Sequence, residues 1–225
     1  MTVGRGIIRF VWIGTAVLSM IGVVAVVRRA LHLFGPARVV PVAPELAALD
    51  VGFAMHPWLT LVHIMPGLLF VILGPLQFVR AIRSRWPRVH RWMGRVLVGL
   101  GMIIGATALV MSPQMAIGGI NETAATMLFA VIFLFALVKG LLAIRAGKVA
   151  EHREWMIRAF AVGMAVAAVR PIVGVFFATR KLTHLSPQEF FGTAFWLGFT
   201  IQLVLAEVWI NYTRGTGLPE KRKRT

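Results

Sequence analysis

Six stretches of about 20 mostly apolar residues divide this chain, and each is long enough to cross a hydrocarbon core of about 30 Å as a helix. They run over 8–28, 58–79, 93–112, 123–144, 156–178 and 191–212. The expected fold class is therefore all-α, a polytopic transmembrane helical bundle of six spans in a single membrane domain covering 1–225. Composition agrees. The chain is 58% hydrophobic and 14% charged, against about 45–50% and about 25% for soluble domains. Arg5 and Arg9 ahead of the first span resemble the charged start of a signal peptide, but the apolar run that follows is too long, which predicts a retained anchor.

The formal net charge is +16, from 24 Lys and Arg against 8 Asp and Glu. Its placement argues against nucleic-acid binding, because the cations cluster at span ends rather than along one soluble face. The 80–95 segment carries Arg80, Arg83, Arg85, Arg88, Arg91 and Arg95, and the 145–158 segment carries Arg145, Lys148, Arg153 and Arg158. The tail, 213–225, is basic as well, whereas 113–122 holds no Lys or Arg. The positive-inside rule then predicts both termini in the cytoplasm and a basic face toward anionic lipid headgroups, and the abundance of Arg, Ala, Val and Gly suggests a GC-rich bacterial genome and so a bacterial plasma (inner) membrane. The 30–57 connection becomes the outer loop. Pro36, Pro41, Pro44 and Pro57 keep it from forming one helix. Within it Glu45–Phe53 reads either as a short interfacial helix or as a solvated connector.

Cysteine is absent, so disulfides and thiolate metal centres are excluded, and no metal-ligand pattern stands out. No phosphate-binding loop, nucleophile elbow or paired catalytic carboxylates occur either.

Two basic turns echo each other. His90-Arg91-Trp92-Met93-Gly94-Arg95 aligns with His152-Arg153-Glu154-Trp155-Met156-Ile157-Arg158 if one residue is inserted. The echo suggests a parallel repeat of two hairpins, spans 2–3 and 4–5. The interfacial preference of Arg and Trp explains it equally without a repeat.

Span 2 carries His56, His63, Phe70 and Gln77 at intervals of seven, which places them on one helical face, beside Thr60, Gly67 and Gly74. Pro66 and Pro75 are expected to kink the span. His63 lies about 8 Å inside the outer end at 1.5 Å per residue. It reads as a haem or metal ligand, a proton relay or a quinone contact, or as a structural histidine bonded to a neighbouring helix. His56, nearer the interface, reads first as structural. Arg170 at similar depth is expected to share an outer pocket with His63, holding a carboxylate, phosphate or haem propionate, unless it extends to the surface. Glu207, level with Gln77, His90, His152 and Arg158, pairs with Arg158 or a histidine as structural glue, or passes protons. Gly94, Gly101 and Gly105 read as a packing groove.

His63, the run Gly74-Pro75-Leu76-Gln77-Phe78, His90-Arg91 before Gly94, and His152-Arg153 before Trp155-Met156 and Arg158 resemble a bacterial membrane-protein family, domain of unknown function 2306, over about 55–175. The resemblance implies a membrane topology and marks His63, Gln77, His90, His152 and Arg158 as motif positions, without an activity. A looser likeness is to b-type cytochromes of the cytochrome b561 and ferric-reductase kinds. Those hold haem between histidines on different helices, whereas here only His63 lies well inside a span. His90 and His152 could meet on the inner side if the repeat pairs spans 3 and 5.

Three functions follow as alternatives. The first is a membrane redox protein with haem b or quinone at His63, His90, His152 and Arg170. The second is a transporter of a small anion or lipid-like molecule through a kinked span 2. The third is a non-catalytic scaffold or assembly factor, as a homo-oligomer or with a membrane-complex partner.

Overall fold

A computed structural model describes residues 2–35 and 50–215. Helix α1 is Thr2–Phe34, α2 Val51–Met55 and α3 Pro57–Leu73. A 3-10 turn, Pro75–Phe78, continues α3. Then follow α4, Arg80–Arg85, α5, Pro87–Met115, α6, Gly119–Arg145, α7, Val149–Thr183, and α8, Pro187–Gly215. No strand occurs among the described residues. Most of the outer loop, including Pro36, Pro41, Pro44 and Glu45 to Leu49, lies outside them, as does the tail beyond 215.

Among the described residues six helices are long and apolar enough to cross a membrane: Gly4–Phe34, Pro57–Phe78, Pro87–Met115, Gly119–Arg145, Val149–Thr183 and Pro187–Arg214. Five of them run past the expected apolar limits by several residues, because the helices carry their polar ends beyond the apolar run. The 29 residues of α5 begin in the basic turn itself, and the 35 of α7 likewise. Proline opens α3, α5 and α8, where a missing N–H costs nothing.

Helix α7 is central, packing most extensively on α8 and α6. Helix α5 joins α3 to α6, while α1 leans on α3 and α7 at the edge. The core draws Phe70 from α3, Met93 and Leu97 from α5, Phe129 and Phe133 from α6, Val162 and Ala165 from α7 and Phe199 from α8. Phe129 and Phe199 stack at 4.8 Å between ring centres, and Phe70 meets Phe133 edge-on at 5.8 Å. Large apolar side chains such as Phe10, Trp58, Val175 and Val208 point outward, as a lipid-facing surface requires.

The expected kinks of span 2 resolve differently. Pro66 sits inside α3 without ending it. The change comes at Gly74-Pro75, where the helix tightens into the 3-10 turn. Gly74 is necessary there, since a β-carbon would lie 2.7 Å from the Phe160 ring.

The two basic turns are equivalent only at their entrances. His90 and His152 are each the fourth residue of their helix. Each backbone N–H donates to the residue before the helix, Trp86 at 3.1 Å and Lys148 at 2.9 Å. Both segments are unbroken α-helix, so the extra Glu154 rotates everything after it by about 100°. Trp92 is therefore exposed at 68% while Trp155 packs against the core. The register shared by the turns ends with the His-Arg pair.

Candidate functional site

At the basic end of the bundle, α7 is fastened to α8 by three polar clamps. Arg158 grips Glu207 with Nε at 2.5 Å from Oε1 and Nη2 at 3.0 Å from Oε2, and its guanidinium lies 4.7 Å from the centre of the Trp155 ring. Arg153 Nη2 donates to Thr213 Oγ1 at 3.0 Å. Arg214 closes on Glu154 with both fork nitrogens. Arg158 and Glu207 are thus joined as partners across α7 and α8.

What remains at this end is a trio from three elements. His152 turns toward α6, with Nδ1 2.8 Å from the Gly140 carbonyl. A carbonyl only accepts, so the proton sits on Nδ1 and Nε2 keeps its lone pair. His90 on α5 lies within electrostatic reach of His152, Arg83 and Arg91. Its Nδ1 is buried and has no hydrogen-bond partner. Gln77, presented by the 3-10 turn, rests against Gly94, where a β-carbon would stand 3.3 Å from its Oε1. Gly94 is one turn beyond His90 on the same face of α5. Gln77 Nε2 is likewise buried without a partner. Buried polar groups are normally paired, so these two orphaned nitrogens at the same end of the bundle are exceptions.

The other histidines of span 2 are placed differently. His63 is half-buried, and its Nδ1 lies 2.8 Å from Thr107 Oγ1 of α5. That hydroxyl gives its own proton to the Ile103 carbonyl at 2.7 Å, so His63 is the donor. It is a satisfied interhelical bond, and no bond joins it to Arg170. His56 is exposed and falls at the junction of α2 and α3 rather than on the helical stripe.

Arg170 belongs to another group, at the opposite end. It repels Arg28 and Arg29 electrostatically, and both of those pair with Asp50, which is fully buried. In the sequence Arg28 and Arg29 close the first apolar run and Asp50 lies in the 30–57 connection. An aspartate and two arginines about 20 residues apart leave no periodic signal, although the adjacency of Arg28 and Arg29 on the side expected to be poor in cations was a clue.

Among the described residues no three His, Asp or Glu side chains converge as a metal site. A groove of about 330 Å³ between α1 and α3 is almost wholly apolar, running from Trp12 and Thr15 past Met20 to Val71, Ile72 and Pro75.

Fold and hydropathy together define a multi-pass membrane protein of six apolar helices. The family model described as predicted membrane protein, DUF2306, matches residues 60–210, and the chain belongs to that family. The match reaches past the motif region into α8 and covers Gln77, both His-Arg pairs and Glu207. No curated protein and no solved structure matches the chain.

Proposed function

We propose that the chain is a component of a membrane redox system and binds a quinone head group between Gln77, His90 and His152. The observation that carries this reading is the pair of buried, partnerless nitrogens, Gln77 Nε2 and His90 Nδ1. A quinone offers two carbonyl acceptors, which suits an amide N–H and an imidazole N–H held on one face. The apolar groove ending at Pro75, two residues from Gln77, suits an isoprenoid tail. Reduction of a quinone to a quinol takes two electrons and two protons. The His90 imidazole hands on the two protons, each taken from bulk, His152 offers its Nε2 lone pair as an acceptor for a quinol hydroxyl, and the two electrons come from an electron-transfer protein partnered in the membrane. In this reading the basic turns face the cytoplasm, which gives the site access to bulk protons.

Haem is the poorer match. A haem held by His90 and His152 needs a flat slot beside each ring. Gly94 is covered by the Gln77 amide, and at Gly140 a β-carbon would stand 2.1 Å from the Met156 methyl. These residues do not fit the macrocycle.

The test is thermal unfolding of the purified protein in detergent with short-tailed ubiquinone-type and menaquinone-type compounds. Saturation near 100 times Kd adds about 2.7 kcal/mol. His90→Ala and Gln77→Ala should each weaken binding about tenfold, the scale of one lost hydrogen bond. The exposed His56→Ala should not. Absence of stabilisation by both quinone types, or undiminished binding by His90→Ala, overturns the reading.

A further inference from the structure

Lys139 is the one lysine inside an apolar run of the sequence. It stands on α6 six residues before Arg145, about 9 Å inside the end of the helix at 1.5 Å per residue. An ammonium group at that depth needs an anion, a polar cavity or water. Lys139 is half-buried, and among the described residues no carboxylate pairs with it. Its ammonium lies 6.0 Å from the centre of the Trp155 ring, at the outer limit of a cation–π contact.

What Lys139 meets instead is a cavity of about 150 Å³ at the turn from α6 to α7, lined by Lys139, Leu142, Ala143, Ala146, Lys148 and Glu151. Lys148 Nζ and Glu151 Oε2 are 3.6 Å apart, too far for a hydrogen bond and worth little between exposed side chains. A stronger anion can therefore draw Lys148 away from Glu151. The lining carries two cations and one anion, an excess of one positive charge.

The cavity adjoins an apolar stripe. Val131, Phe135, Val138 and Leu142 follow one another at intervals of four, three and four, which keeps them on one face of α6. All four are exposed, and the stripe ends at Leu142, which also lines the cavity. An acyl chain suits such a face, and a single negative charge balances such a cavity. An anionic phospholipid carries both in one molecule.

We propose that the cavity between Lys139 and Lys148 binds the phosphate of an anionic phospholipid whose acyl chain lies along Val131, Phe135, Val138 and Leu142. A basic surface attracts anionic headgroups without fixing any one of them, whereas this cavity holds one lipid at a set position. The site uses none of Gln77, His90 and His152, so it stands or falls apart from the quinone reading.

The experiment is native mass spectrometry and thermal unfolding of the full chain in neutral detergent, with phosphatidylglycerol, phosphatidylcholine and inorganic phosphate as probes. Phosphatidylglycerol should be retained and should stabilise the protein more than phosphatidylcholine does. Lys139→Gln should weaken that binding about tenfold, and Lys148→Gln, whose side chain is exposed, about threefold. Arg85→Gln, an exposed cation of α4 outside the cavity, should leave it unchanged. Glu151→Gln should tighten it, because the repulsion between carboxylate and phosphate is removed. If Lys139→Gln fails to fold, the opposite signs of Lys148→Gln and Glu151→Gln decide the matter. Equal responses to the two lipids, or a loss in Arg85→Gln as large as in the lysine variants, overturn the site. A response to inorganic phosphate as large as that to phosphatidylglycerol assigns the cavity to a soluble phosphate compound and overturns the lipid assignment.

Discussion

Arg158 and Glu207 face each other across α7 and α8 as a two-pronged ion pair, 2.5 and 3.0 Å long, with Trp155 against the guanidinium. The Arg158 side chain is 18% exposed, so its charge depends on this partner more than on water. Glu207→Gln is expected to cost about 2–3 kcal/mol, since an uncompensated charge remains. The double variant Arg158→Leu with Glu207→Leu should recover most of that loss, because it removes both charges together. Unfolding in detergent checks the cycle. Losses that simply add would show that the pair is uncoupled.

Asp50 is enclosed and carries bonds from two arginines. Asp50→Asn should therefore be more damaging than Glu207→Gln, by about 3–5 kcal/mol in total, because two cations lose their counter-ion at once. The loss should persist in high salt, since buried pairs are screened little. An Asp50→Asn protein as stable as the wild type would show that the clasp contributes nothing.

The glycines divide by what stands next to them. A β-carbon at Gly163 would lie 2.6 Å from the Phe70 ring and 3.4 Å from that of Phe133. At Gly67 it would meet nothing within 4 Å. Gly163→Ala should lower stability by about 1–3 kcal/mol through overpacking. Gly67→Ala should be neutral or raise it by up to about 1 kcal/mol through helix propensity. Melting curves of the two single variants provide the comparison, and equal behaviour would refute the packing argument.

His184 ends α7 in the left-handed region, at φ 56°, with its N–H donating to the Arg180 carbonyl at 2.8 Å. This is a position that favours glycine. His184→Gly should stabilise the protein by about 0.5–1 kcal/mol, with Asn intermediate. A lower unfolding midpoint for His184→Gly would mean that the imidazole makes a contact worth more than the backbone strain.

The spans were legible because hydropathy over about 20 residues is a local property. So was the inward stripe of span 2, in part. His63 and Gln77 both meet α5 and Phe70 meets α7, as intervals of seven require. His56 left the stripe because Pro57 starts the helix one residue later. The partners were not legible. Thr107 for His63, Thr213 for Arg153 and Asp50 for Arg28 are each 22 or more residues away, and pairings at such separations depend on how helices turn against one another. The Trp-Met part of the repeated turn misled for a related reason. Letters align across an inserted residue, but an unbroken helix does not permit the insertion without rotating its face.

Helix α7 has one further consequence. Between His152 and Arg170 it contains no proline and runs about 27 Å at 1.5 Å per residue. One end holds His152, bonded to the Gly140 carbonyl, and the other Arg170, whose Nη1 donates to the Val166 carbonyl. His152 and Arg170 therefore ride on one uninterrupted stretch of helix, and Gly163, where a β-carbon would lie 2.6 Å from the Phe70 ring, seats its middle against α3.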